Sequence, residues 1–238
     1  DMMERITQLT ESIQREMKAK QATQLQYLFA QINPHFLYNT LDCIKTLCSC
    51  NENDLAEEML DQLVIFYRIG VSKGKSFIPL REELKHIRAY LSILQIRFDD
   101  FRFEIHMEEG LEQCVTLRMM LQPIVENAII HGLEEKIEGA QVLIEVDIAE
   151  DMIITVSDNG RGMSLKELDE LNGRIHSEIT GLVEEDKSHG TGIALPNINK
   201  RIQLLFGEKY GLNVYSSEGC GTDVELILPT NHHAEERV

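Results

Sequence analysis

The stretch Q-I-N-P-H-F-L-Y-N, residues 31–39, places a histidine directly after a proline inside a helical pattern. Leu25, Leu28, Ile32, Phe36, Cys43 and Leu47 recur at steps of three, four or seven, with a gap near Asn39 and Thr40. One stripe of a long helix therefore faces a packing partner. His35 falls on the flank of that stripe, where it is presented to solvent or to another domain. Pro34 has no N–H to give to the carbonyl of Ala30, and its ring crowds that carbonyl, so a kink is expected beside the histidine. Asn39, one turn further on, can orient the imidazole by hydrogen bonding.

Working outward, residues 1 to about 50 read as one helix, opened by Ile6, Leu9, Ile13 and Met17 at spacings of three and four among polar residues. So thin an apolar seam cannot bury itself alone, and a parallel coiled coil in a homodimer is expected. Asn51-Glu52-Asn53-Asp54 is a turn with a ready N-cap, after which Leu55, Met59, Leu63 and Phe66 repeat at helical spacing up to Gly70. This makes an antiparallel hairpin, and two hairpins make a four-helix bundle. Gly74-Lys75-Ser76 resembles the end of a phosphate-binding loop, but Ile69 stands where the first glycine is required, so residues 72–77 read as a linker. Residues 79–98 are a further amphipathic helix opened by Pro79.

The chain of 238 residues is 43% hydrophobic and 26% charged, a globular composition. A net charge of -17 without a sizeable Lys/Arg cluster argues against nucleic acid as a partner. Five cysteines (Cys43, Cys48, Cys50, Cys114 and Cys220) form no C-x-x-C pair, which argues against a zinc site or disulfide framework and for a reducing compartment. No run approaches the ~18–20 apolar residues of a membrane helix, and no secretory signal opens the chain. The sequence begins in mid-pattern, so a fragment is expected, with a sensor or transmembrane region upstream.

From residue 101 the pattern changes. Residues 103–107, 142–148, 153–156, 212–216 and 222–228 alternate as strands, with turns at Glu150-Asp151 and Gly219-Cys220-Gly221. Residues 117–133 read as an apolar helix interrupted by Pro123, and 164–174 and 193–206 as further helices. Residues 176–189 are polar and without period. The expected class is α+β: an N-terminal helical hairpin followed by an α/β sandwich with a mixed or antiparallel sheet.

Three clusters in this half carry chemistry. In Glu126-Asn127-Ala128-Ile129-Ile130-His131-Gly132 an asparagine stands among apolar neighbours. It is expensive there unless satisfied, and a hard cation such as Mg²⁺ would satisfy it. Asp158-Asn159-Gly160-Arg161-Gly162-Met163 follows a strand. It offers a fixed carboxylate to an exocyclic amine, and glycines that let the backbone approach a planar ligand. Gly190-Thr191-Gly192-Ile193-Ala194-Leu195 opens a helix, where free N–H groups suit phosphates. A dinucleotide fold is disfavoured, because Leu195 replaces the last glycine and the strand–turn–helix unit is missing.

Taken together, N-P-H-F-L-Y-N-T-L, E-N-A-I-I-H-G, D-N-G-R-G-M and G-T-G-I-A-L-P-N-I-N-K-R-I resemble a sensor histidine kinase of the LytS/YesM type joined to an ATPase domain of the GHKL superfamily. The resemblance covers residues from about 20 to 229. It implies ATP and Mg²⁺ as cofactors. It makes His35 the phosphoacceptor, Asn127 the Mg²⁺ ligand and Asp158 the adenine-amine acceptor. Gly160 and Gly162 become the first glycine box, Gly190 and Gly192 the second with Thr191 between them, and residues 176–189 a lid over ATP. Asn197 and Arg201 match the continuation of the second box. The implied organisation is a signalling helix (1–20), a dimerisation and phosphotransfer hairpin (21–72), a linker and connecting helix (73–100), an ATP-binding domain (101–230) and a tail (231–238). The place implied is the cytoplasmic face of a membrane.

The chain departs from the family in three places. Phe36 follows His35 where many histidine kinases carry an acid that serves as base, which leaves the general base unassigned. Ile130 stands where many carry lysine, so His131, Lys187, His189 or Arg201 contacts the phosphates. Ala194 replaces a third glycine. The implied reaction is attack of a neutral His35 nitrogen on the γ-phosphoryl of Mg-ATP, then transfer to an aspartate of a separate response regulator. Two competing readings are a GHKL ATPase in which Glu126 activates water, and an inert nucleotide-binding dimerisation module. His86, His106, His176, His232 and His233 are expected to be surface or packing residues.

Overall fold

A computed structural model describes residues 34–71, 77–132, 139–177 and 194–230 of the chain. The seam over residues 1–33, the linker residues 72–76, residues 133–138, lid residues 178–189, residues 190–193 of the second glycine box and the tail 231–238 lie outside the described residues.

Helices α1 (Pro34–Ser49) and α2 (Asn53–Val71) form the antiparallel hairpin. The reversal turns on Asn51, whose φ of 62° suits an asparagine. Pro34 is the first described residue of α1, so the kink expected beside it falls on residues outside the described ones. Met59, Leu63 and Phe66 of α2 are buried, as is Phe36 of α1. Helix α3 (Leu80–Arg97) packs against α2 with Leu80, Leu84, Ile87, Tyr90, Leu91 and Leu94 buried, and Pro79 as its N-cap. The hairpin and α3 meet in an aromatic cluster. The Phe36 ring centroid lies 5.2 Å from that of Phe66 and 5.1 Å from that of Tyr90, and Phe66 stacks at 4.5 Å on His86.

The second half is a five-stranded sheet in the order β2 (Phe101–Met107), β4 (Ala140–Ile148), β5 (Met152–Asp158), β7 (Gly221–Leu228), β6 (Gly211–Ser217). The β2–β4 pair is parallel and the others antiparallel, so the sheet is mixed. A separate two-stranded sheet joins β1 (Phe77–Pro79) to β3 (Val115–Leu117). Helices α4 (Leu121–Asn127), α5 (Leu165–Ile175) and α6 (Ala194–Phe206) pack together and with the sheet, completing the sandwich. Phe101, Val142, Ile144, Val146, Met152, Ile154, Val156, Leu212, Val214, Val224, Leu226 and Leu228 are the buried residues that the sheet brings to the core.

The structure revises two readings. Residues 77–79, read as the end of a linker and the opening of a helix, form β1. The apolar run 117–133 is three elements: Leu117 ends β3, α4 starts at Leu121, and Ala128–Gly132 widens into a π turn. Pro123 does not interrupt α4, because it occupies the first turn, where no intrahelical N–H is required.

Helix α5 begins with a reciprocal cap. The backbone N–H of Ser164 donates to Glu167 Oε2 at 2.8 Å, and Glu167 N–H returns a bond to Ser164 Oγ at 3.4 Å. Ser164→Ala is expected to lower the melting temperature by about 2–4 °C in a thermal melt, the shift expected from a cap of about 1 kcal/mol in a chain of this size.

Candidate functional site

Strand β5 directs Met152, Ile154 and Val156 into the core by period-two alternation, and the next inward position is Asp158. A carboxylate thus stands where the pattern calls for an apolar side chain. It is 8% exposed, and its Oδ1 accepts the N–H of Gly160 at 2.8 Å. Asp158 pairs with Val142 on one side and Thr222 on the other, which fixes its backbone in mid-sheet. Asn159 secures the following turn: its Nδ2 donates to the carbonyl of Gly139 at 2.8 Å, and its Oδ1 accepts the N–H of Gln141 at 2.9 Å.

Above Asp158 lies a cavity of about 330 Å³. Ile124, Asn127 and Ala128 form one wall, and Val156, Val214, Thr222 and Val224 form the sheet side. Gly162, Met163, Leu171 and Leu195 line the rest, with Arg161, Glu167, Glu170 and Arg174 at polar positions. Such a slot, apolar with one buried acceptor, suits a planar heteroaromatic ring. Two glycines shape it. A Cβ on Gly162 (φ 65°) would stand 2.0 Å from the carbonyl oxygen of Ser217, and one on Gly221 (φ 88°) 1.9 Å from that of Asp158. Ser216 Oγ donates to the Gly221 carbonyl at 2.7 Å and accepts the Met163 N–H at 2.9 Å, joining the two turns.

Asn127 closes α4 in the cavity wall, half-buried. Its side-chain amide makes no hydrogen bond among the described residues. An amide oxygen supplied from the cavity wall fits Mg²⁺, which takes few protein oxygens and keeps waters and phosphates. Glu126, by contrast, is not in the cavity wall. It accepts Gln122 Nε2 at 2.8 Å, and burial pushes its carboxyl up against the opposing effect of that bond.

His35 is exposed on α1 and lies outside the cavity lining. The amide nitrogen of Asn39 is 3.1 Å from its Nε2 and 3.3 Å from its Nδ1. Phe36, directly after His35, is a buried packing residue held in the aromatic cluster between Phe66 and Tyr90. Thus Asn127, Asp158, Gly160 and Gly162 are placed in or beside one cavity, and His35 with Asn39 elsewhere. Arg201 is exposed on α6. The side chain of His131 and all of Lys187, His189, Gly190, Thr191 and Gly192 lie outside the described residues. Sequence reasoning missed Gly221 and Thr222 as site residues. The signal was a glycine directly before a strand, which read only as a hairpin turn.

Two family models match the chain, one described as histidine kinase over residues 23–103 and one as histidine kinase-, DNA gyrase B- and HSP90-like ATPase over residues 113–232. Sensor histidine kinase YesM of Bacillus subtilis is 36% identical over 231 residues, which is 96% of this chain and 37% of that protein. Sensor protein LytS of Bacillus anthracis is 33% identical over 226 residues, 94% of this chain and 37% of that one. The chain therefore spans little more than a third of the length of these relatives. Among solved structures, the histidine kinase domain of the blue-light-activated histidine kinase of Erythrobacter litoralis is 18% identical with a TM-score of 0.46, covering 87% of this chain and 93% of that one. The mixed sheet with its helices, the cavity over Asp158 and both family matches give one assignment: the chain belongs to the histidine kinase family, with its second half an ATP-binding module of the histidine kinase-, DNA gyrase B- and HSP90-like type.

Proposed function

We propose that this chain is the kinase portion of a two-component sensor, which transfers the γ-phosphoryl of ATP to its own His35 and then to an aspartate of a separate response regulator. The observation that carries the reading is the pairing of a cavity of about 330 Å³, with Asp158 and Asn127 in its lining, with an exposed histidine on a packed hairpin. Asp158 accepts the exocyclic amine of adenine. Gly160 and Gly162 let the backbone approach the base, and the Gly190-Thr191-Gly192 segment offers N–H groups to the phosphates together with Lys187, His189 and His131. Asn127 would hold Mg²⁺, which when bound neutralises phosphate charge.

His35 attacks through an unprotonated ring nitrogen. A bond forms from that nitrogen to the γ-phosphorus, the bond to the ADP oxygen breaks, and the proton on the other ring nitrogen leaves to solvent or base. Asn39 orients the ring. Because the hairpin does not line the cavity, the hairpin of this chain or of a second copy must dock on it for transfer. A homodimer is supported by the exposed apolar side chains of Tyr38, Leu41, Leu60 and Val64 on the hairpin, which a second hairpin would cover. Among the described residues no helix is long and apolar enough to cross a membrane. The relatives are sensor proteins, so we place this chain at the cytoplasmic face behind a separate sensing region. The position of Glu126, outside the cavity wall and bonded to Gln122, favours the kinase over a water-activating ATPase.

Binding tests the nucleotide half of this function. Asp158→Asn replaces an acceptor with a group that presents an N–H to the adenine amine. It is expected to weaken Mg-ATP by about 10- to 100-fold in calorimetry, the loss of a charge-assisted hydrogen bond of about 1.5–3 kcal/mol. Affinity within twofold of the native chain would remove Asp158 from the site.

A further inference from the structure

We infer that Glu83, on α3, is a positioning residue for the nucleotide site: by holding the start of α4, it sets where Asn127 stands. The inference rests on the reading of Asn127 as a residue that faces the triphosphate and its metal. Glu83 is completely buried, with 0% exposure, inside the apolar stripe that runs through Leu80, Ile87 and Tyr90. Its carboxylate takes three backbone donors from one turn. Oε2 accepts the N–H of Met119 at 3.0 Å, and Oε1 accepts those of Met120 at 2.7 Å and Leu121 at 2.9 Å. Those of Met120 and Leu121, the N-cap and first residue of α4, are N–H groups that a helix start leaves without intrahelical partners, and here a side chain from another helix satisfies them.

Met119 itself has φ 56°, the left-handed region that a non-glycine residue enters only when its surroundings hold it there. The Glu83 carboxylate supplies that hold. Helix α4 is only seven residues long and ends at Asn127, so at 1.5 Å per residue the capped turn and the cavity wall are about 10 Å apart on one stiff element. A second tie runs alongside. His86, one turn beyond Glu83, meets Gln122 Oε1 through its Nε2 at 2.9 Å, and Gln122 Nε2 donates to Glu126, the neighbour of Asn127. The same turn also reaches the hairpin, since Arg118 Nη2 donates to the carbonyls of Ile69 and Gly70 at the end of α2.

Glu83→Gln retains one oxygen but points an amide donor at the Met119 N–H, so the left-handed turn loses its partner. Glycine enters that region without penalty, so Met119→Gly added to Glu83→Gln should recover the position of α4. The test compares dissociation constants of Mg-ATP and of adenosine for the native chain, Asn127→Ala, Glu83→Gln and Glu83→Gln/Met119→Gly, each with a thermal melt. Adenosine reaches Asp158 but carries neither phosphate nor metal. Glu83→Gln is expected to weaken Mg-ATP about tenfold with adenosine within about twofold, as Asn127→Ala does, and the double variant to return within about threefold of native. Equal weakening of both ligands, or no weakening, overturns the inference and leaves Glu83 a structural residue. If Asn127→Ala itself shows no selective loss, the reading of Asn127 fails and the inference with it. Selective loss in Asn127→Ala without it in Glu83→Gln defeats the inference alone. Should Glu83→Gln fail to melt cooperatively, the double variant carries the comparison, and failure of both to fold also makes Glu83 structural.

Discussion

His35→Gln is expected to reduce the label that the chain takes from γ-labelled Mg-ATP to background, a loss of more than about 100-fold, while Mg-ATP affinity stays within about twofold. Glutamine can still hydrogen-bond but has no nitrogen lone pair of imidazole type, so the nucleophile is removed. The separation of effects follows from geometry. His35 is exposed on α1, so its replacement leaves the core untouched, and it is absent from the cavity lining, so nucleotide contacts are unaffected. Asn39→Ala is the graded companion: an orienting group lost beside an intact nucleophile should slow labelling by about tenfold without abolishing it. Initial rates of label incorporation at saturating Mg-ATP measure both variants. Undiminished label in His35→Gln would move the acceptor to another residue.

The second large effect is expected from a single methyl group at Gly221. With φ at 88° and the new Cβ 1.9 Å from the carbonyl oxygen of Asp158, Gly221→Ala combines an unfavourable backbone region with an overlap that involves only backbone atoms. Neither side can yield, because Asp158 is paired with Val142 and Thr222 in the middle of the sheet. The expected destabilisation is about 3–5 kcal/mol, lowering the melting temperature by roughly 6–20 °C, and Mg-ATP binding should be lost as the Asp158 carboxylate is displaced. Gly219→Ala in the same turn is the control. Its φ is 79° but nothing lies within 4 Å of the added Cβ, so only the backbone penalty of about 1–2 kcal/mol applies and nucleotide binding should persist. Thermal melts and calorimetry on the two variants decide it. Equal behaviour would show that the contact between the turn and Asp158 does not hold the site.

What could be read from the sequence was what repeats or alternates. Strands β2, β4, β5, β6 and β7 came from period-two patterns, and the observed boundaries differ by two residues at most. Asp158, Gly160 and Gly162 could be read as a candidate site because their cluster stands in order between those at residues 126–132 and 190–195; a carboxylate and glycines after a strand would by themselves read equally well as a hairpin turn. The short strands β1 and β3, three residues each, could not be found, since neither is long enough to show a period. Leu117 looked helical only because it adjoins the apolar run of α4.

Glu83 is the instructive miss. It occupies a stripe position between Leu80 and Ile87, and an acid there has no local explanation. Its partners are the N–H groups of Met119, Met120 and Leu121, more than thirty residues away, and no helical pattern reports such a contact. Gly221 escaped for a similar reason: the turn was recognisable, but the approach of its backbone to Asp158 depends on strand order.

The measurement that bears most directly on the account is the fate of the γ-phosphoryl group in the native chain incubated with labelled Mg-ATP, with the label tested against acid and alkali. A phosphohistidine kinase gives protein-bound label that acid removes and alkali leaves in place. Release of inorganic phosphate with no label on the protein would contradict the account and point to a water-activating ATPase, and nucleotide binding with neither outcome would make the chain a binding module rather than a kinase.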